Sequence, residues 1–398
     1  IARYALVKGE SVFVGLNKVF PWSPYWFIAS TFIGFGLPGI VAASAKILAF
    51  MFGVDHSHWI AIGMLLFIGL ILSASKTVYG MMEGLTKIII FFGVSFIFIL
   101  TVFLARSGDW LALGQGLIGK GDQFWFFPIE ISLATFLAAF AYSGAGGNLN
   151  LTQSIYIKEK GYGMGKYAQK IAGLFTGVGA KQAIRLSGEP FDQTPQNIAH
   201  FRAWWKLISA EHLLVFWFIG SIAMSLLMLL SFTTAFGVEG NASGIQFVIN
   251  QGLIISQEAI PVIGTLFLLV IAIILFQTQL GVLDSTSRIM AENVAIKKLG
   301  NNKTGVINLS GIYFIFLWSQ IIFGILLFLT GLHEPRQLIV LGAVINAVAM
   351  TVHIALVHIA SYRLLPKIFQ AALWRKIVMV VIFIIFAVFS VIAIIDIF

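Results

Sequence analysis

Apolar runs of about a bilayer's length, separated by short polar clusters, set the pattern of this chain. A membrane-crossing helix needs roughly 20 consecutive apolar residues. Nine segments meet that requirement: 23–52, 58–80, 84–106, 126–156, 207–235, 259–296, 306–331, 335–365 and 374–397. The pattern predicts an all-α integral membrane protein, a single transmembrane domain over residues 1–398 with one long polar loop at 158–206. In that loop the residues 167–175 and 196–207 are expected as short amphipathic helices.

The fourth segment departs from the pattern. Its centre reads Phe140-Ala-Tyr-Ser-Gly-Ala-Gly-Gly-Asn-Leu-Asn-Leu-Thr-Gln-Ser154. Three glycines and a cluster of amides and hydroxyls interrupt a helix that would otherwise satisfy its own backbone in lipid. Unwound backbone at membrane depth is tolerated where protein buries it or where it lines a cavity, and a broken span marks the binding site in many transporters. The spacing predicts one half-helix ending near Ser143 and another starting near Asn148. Carbonyl oxygens at Tyr142 and Ala145, flexible backbone at Gly144, Gly146 and Gly147, and the amides of Asn148 and Asn150 then form a set of hard oxygen donors. A metal ion would be held by Tyr142, Ala145 and Asn148 through backbone carbonyls or a side-chain amide. Gln277 and Asn346 are expected to line the same cavity from facing helices. The competing reading is close helix packing through small residues, which accounts for Gly144 and Gly147 but not for the adjacent amides.

Charge then orients the spans. With the start of the chain placed in the cytoplasm, 21 Lys and Arg fall on inside segments and four (Lys46, Arg106, Lys120 and Arg336) on the other side. This is a positive-inside bias, which makes a nucleic-acid partner unnecessary to explain the net charge of +9. It predicts a multi-pass protein of the cell membrane, the inner membrane in a prokaryote, with Phe398 outside. Tryptophans cluster near the predicted interfaces, whereas Trp217 and Trp318 fall deeper and are expected to pack inside. The opening Ile-Ala-Arg-Tyr-Ala-Leu-Val-Lys-Gly-Glu reads as the cytoplasmic end of an earlier helix, so one or two further spans are expected upstream.

Ionisable groups inside a membrane segment are functional candidates by default. Glu130 lies at the outer mouth of the broken span, either as part of an ion-attracting vestibule or as a solvated helix-end carboxylate. Gln277, Asp284 and Arg288 share a helical face, which lines an inner vestibule or holds an internal Asp284–Arg288 pair. Asn346 and His353 form a second polar stripe. Enzyme chemistry finds little support: there is no cysteine, His353 and His358 point to different sides of a helix, and Gly161-Tyr-Gly-Met-Gly165 lacks the preceding strand of a phosphate loop. No cofactor is expected. The partners expected are the bilayer and a small cation.

Several landmarks together resemble the Nramp-type divalent metal transporters, and more closely their divergent prokaryotic Nramp-like branch. They are Arg3-Tyr-Ala-Leu-Val-Lys-Gly-Glu10, Gly144-Ala-Gly-Gly-Asn-Leu-Asn-Leu-Thr-Gln-Ser154, Lys160-Gly-Tyr-Gly-Met-Gly165, Phe201-Arg-Ala-Trp-Trp-Lys206 and the stretch Gln279–Glu292. The resemblance implies a LeuT-like inverted-repeat bundle with discontinuous first and sixth helices. The nine spans would be the family's third to eleventh, and the first discontinuous helix, which supplies metal ligands in the family, would lie upstream. Where the family carries Met-Pro-His, this chain has Ala145, Gly146 and Gly147. Loss of the thioether implies a preference for hard ions such as magnesium. The family's proton route uses charged residues on its third and ninth helices; here these offer only Lys46 and no charge, respectively, which implies weak or absent proton coupling. The expected function is therefore transport of a small cation, most simply a divalent metal. The alternatives are an amino-acid-like solute carrier on the same fold and a non-transporting membrane sensor or assembly subunit.

Overall fold

The computed structural model describes residues 1–74, 78–120, 132–144, 146–164, 182–186, 188, 191–239, 241, 244–300 and 304–397. Two short helices come first, α1 (Ala2–Lys8) and α2 (Val12–Val19). They are followed by α3 (Ser23–Phe35), α4 (Gly39–Phe52), α5 (Ser57–Ala74), α6 (Val78–Leu104) and the surface helix α7 (Ser107–Leu117). The interrupted span is α8 (Leu133–Tyr142) and α9 (Leu149–Lys160). Strand β1 (Gln182–Arg185) leads to α10 (Pro195–Glu211), a π-helical stretch (His212–Ile219) and α11 (Gly220–Ala235). The chain continues through α12 (Gln246–Glu258), α13 (Pro261–Leu299), strand β2 (Thr304–Ile307), α14 (Leu309–Leu329), α15 (Pro335–Leu364) and α16 (Leu373–Ile397).

Among the described residues, eight helical stretches are long and apolar enough to cross a membrane, counting α3 with α4 and α10 through α11 as one each. Helices α8 and α9 have ten and twelve residues, about 15 and 18 Å; each alone spans about half of a hydrocarbon core. The chain is thus a helical, multi-pass membrane protein. Its outer surface is apolar, as lipid requires: Phe103 is 71% and Trp217 61% exposed. Trp217, expected to pack inside, faces outward, because the π-helical stretch carrying it lies on the periphery of the bundle.

The bundle is organised around α13. Its second half is buried nearly throughout, from Gln277 to Ile296, and it contributes to three of the four apolar clusters. The two halves of the interrupted span belong to different neighbours. Ala141 of α8 packs with Val344, Ala347 and Phe386 of α15 and α16. Leu151, Ile155 and Ile157 of α9 pack with α1, α2 and α13.

Several elements differ from expectation. The expected helix at 196–207 is continuous with the following span, since no proline or glycine stops it before Gly220. The expected helix at 167–175 lies outside the described residues. The polar connection after α11 contains α12, which the sequence hid among Asn, Gln and Gly; α12 is seated on α13 where Gly252 meets Leu268. Strands β1 and β2 form a two-stranded antiparallel ribbon, Gln182 opposite Ile307, the one departure from an all-helical fold among the described residues.

The connections sort to two ends. At one, β1 meets β2, Arg3 donates to the carbonyls of Phe369 and Gln370, Lys297 donates to Pro21 O and Gly188 N donates to Glu10. At the other, Lys46 pairs with Glu334 at 2.6 Å and the rings of His58 and His333 lie 5.7 Å apart. These are the same two sets of segments that the distribution of Lys and Arg separates.

Candidate functional site

The span interruption is real and has a counterpart. Helix α8 ends at Tyr142, Gly147 adopts φ +53, and Asn148 opens α9. Opposite it, α3 and α4 are separated by Gly36, Leu37 and Pro38. This second break follows from covalent chemistry. Proline has no N–H, so Pro38 cannot close the helical hydrogen bond to the carbonyl of Gly34. That freed oxygen accepts instead from Asn346 Nδ2 of α15, at 2.8 Å.

Asn346 therefore joins the two breaks. Its Nδ2 also donates to the Tyr142 hydroxyl at 3.0 Å. Its Oδ1 rests against the backbone of Gly147 and Gly34, where a Cβ on either glycine would collide with it. Asn148 is held by α3 as well: Nδ2 donates to Ser30 Oγ at 2.8 Å and to Thr31 Oγ1 at 3.0 Å. Both asparagines are fully buried, and both amide nitrogens are engaged. Both amide oxygens, Asn148 Oδ1 and Asn346 Oδ1, have no hydrogen-bond partner. A buried amide oxygen left unpaired costs about 1–3 kcal/mol. Each of the two is an acceptor left without a donor, one at the start of α9 and one on α15 against Gly147.

The remaining expected residues divide. Gly146 and Gly147 are buried in the break, and Gly146 is confined by Ala141 O and the Tyr142 ring. Ala145 and Glu130 lie outside the described residues. Asn150 is half-buried and stands on the wall of a cavity of about 680 Å³ beside α9, together with Thr152, Gln153, Tyr156, Ser285 and His353. Gln277 is not brought to the break. Its Nε2 donates to Thr86 Oγ1 of α6 at 2.7 Å, because its position on α13 faces α6. Sequence reasoning missed Ser30, Thr31, Gly34 and Pro38. Their signal was Gly34-Phe-Gly-Leu-Pro38 within an apolar run.

Below the break, α9 is fastened to α13 by charge. Arg288 Nε donates to both oxygens of Asp284 at 2.9 and 3.0 Å, and Arg288 Nη1 reaches Glu159 Oε1 of α9 at 2.6 Å. Tyr313 and Tyr156 donate to Asp284 at 2.8 and 3.1 Å. Lys158 and Glu292 add a second link at 3.4 Å. The Asp284–Arg288 face is an internal, fully buried pair and not an open vestibule wall. Charges at such depth persist only when paired and hydrogen-bonded.

Among the described residues, no group of three or more His, Asp or Glu is placed to hold a metal ion. The donors at the break are neutral amides, hydroxyls and carbonyls. No protein-family model and no curated protein sequence matches the chain.

Proposed function

We propose that this protein is an alternating-access membrane transporter whose substrate, a small cation, binds at the break between α8 and α9. The observation that carries the reading is the pair of buried, unpartnered amide oxygens of Asn148 and Asn346, held in place where two interrupted spans meet. Neutral oxygen donors suit a hard cation that keeps part of its hydration. The resemblance to the Nramp-like branch and its LeuT-like fold supports a divalent metal, and the absence of a thioether between Tyr142 and Asn148 supports magnesium over softer ions. Carbonyls at Tyr142 and Ala145 would complete the set.

The packing supports a moving part. Helix α8 belongs with α15 and α16, and α9 with α1 and α13, so the glycines between them lie where two bodies meet. The cavity beside α9 includes Leu149, next to Asn148, and Ile1, which precedes α1 at the end of the bundle that carries β1 and β2. On the positive-inside argument that end faces the cytoplasm.

Uptake into proteoliposomes tests the reading. Magnesium or manganese should accumulate above empty vesicles, and Asn148→Ala and Asn346→Ala should each lower the initial rate by at least about tenfold, the effect of about 1.4 kcal/mol of lost coordination. Uptake of an amino acid with neither metal moving would replace this reading with that of an organic-solute carrier.

A further inference from the structure

A second site stands apart from the break, at the end of the bundle that carries the basic segments. A cavity of about 450 Å³ lies between α1, α10, α15 and α16 and includes Arg3, Trp205, Tyr362, Arg375 and Lys376 in its lining. Two guanidinium groups share one indole: Arg3 lies 4.0 Å and Arg375 5.5 Å from the Trp205 ring centroid. Lys376 Nζ lies 4.2 Å from the Tyr362 ring centroid. No carboxylate lines the cavity, and among the described residues none of the three cations is in an ion pair.

Their placement is unfavourable as it stands. Arg375 and Lys376 occupy the first turn of α16, which contains no acidic residue. The N-terminus of a helix is the positive end of its dipole and favours anions. Burial and the neighbouring Arg375 also hold the Arg3 guanidinium below its usual pKa. Arg3 donates to the carbonyls of Phe369 and Gln370, and Lys376 to Gln370 Oε1 at 3.5 Å, but among the described residues no negative charge in the cavity offsets three cations and a helix N-terminus.

We propose that this cavity is a binding site for the headgroup of an anionic phospholipid, its phosphate held by Arg3, Arg375 and Lys376. Guanidinium groups match phosphate oxygens in bidentate geometry, and basic pockets between membrane helices bind anionic lipid headgroups. The surroundings select a lipid over a free anion. Trp205, Trp374 and Tyr362 ring the site, as aromatic side chains do at a membrane interface. Val378 and Met379 are part of the cavity wall. Beyond it α16 exposes Ile377 and Val381 at 56% and 48%, an apolar track for acyl chains.

The test is lipid enrichment around the full chain in nanodiscs of mixed phosphatidylglycerol and phosphatidylcholine, read by native mass spectrometry. The protein should retain phosphatidylglycerol above its bulk proportion. Arg375→Gln with Lys376→Gln should lower that enrichment on the order of fivefold per cation removed, whereas Lys297→Gln with Lys298→Gln, an equal charge loss on exposed residues of α13, should leave it intact. Lys376→Gln alone should give a partial loss and serves if the double variant does not fold. Unchanged enrichment in the α16 variants, or equal loss in both double variants, overturns the site. If excess inorganic phosphate displaces the lipid and by itself raises the melting temperature of lipid-free protein, the site is one for a free anion and the lipid assignment is wrong.

Discussion

Single atoms decide the most consequential features. At Gly147 a positive φ and the proximity of Asn346 Oδ1 leave no room for a Cβ. Gly147→Ala should lower stability by about 2 kcal/mol or more, seen as a reduced melting temperature in detergent, and should abolish uptake because Asn346 must move. Asn346→Leu tests the site differently. It removes the donor to Gly34 O and Tyr142 along with the unpaired oxygen, so cation-dependent thermal stabilisation should vanish while the helical circular dichroism persists. Arg288→Met leaves Asp284 and Glu159 buried without their counter-charge. Losing one partner of such a cluster costs about 3–5 kcal/mol, so the expected outcome is a large drop in folded yield and melting temperature. Retention of wild-type stability would show that the cluster is solvated.

At the scale of elements, α12 and α13 show how small residues set packing. Helices α12 and α13 approach where Gly264 faces Ser256 and the carbonyl of Gly252. Gly264→Val should unseat α12, lowering the melting temperature and speeding proteolysis between residues 236 and 258. The Pro38 break makes the opposite kind of prediction. Pro38→Ala supplies an N–H able to compete with Asn346 Nδ2 for the Gly34 carbonyl. Continuous helix through residues 34–40 and weakened cation binding are the expected pair of results, checked by hydrogen exchange and by metal-dependent thermal shift.

For the whole molecule, the natural absence of cysteine permits single-cysteine labelling without background. A cysteine in place of Lys297 and one in place of Glu239 should react with a membrane-impermeant maleimide from opposite sides. If both react from the same side, the assignment of connections to two ends fails. This arrangement follows from Coulombic asymmetry acting on the chain as it inserts, and the contacts β1–β2, Arg3–Phe369 and Lys46–Glu334 are consistent with it.

The local sequence carried the main features governed by hydrophobicity and backbone covalency, although the Pro38 break went unread and Trp217 was placed on the wrong side. The apolar runs specified the spans, because lipid admits only internally bonded backbone, and the glycine and amide cluster specified the α8–α9 break. The continuity of α10 into α11 and the presence of α12 were not readable, since propensity is weak beside tertiary burial. Nor could residue spacing say that Asn346 would face the break while Gln277 turned to Thr86 of α6, or that Glu159 would complete the Asp284–Arg288 pair. Those outcomes depend on which helices are neighbours and on how each is rotated about its axis. Only packing in three dimensions sets either one.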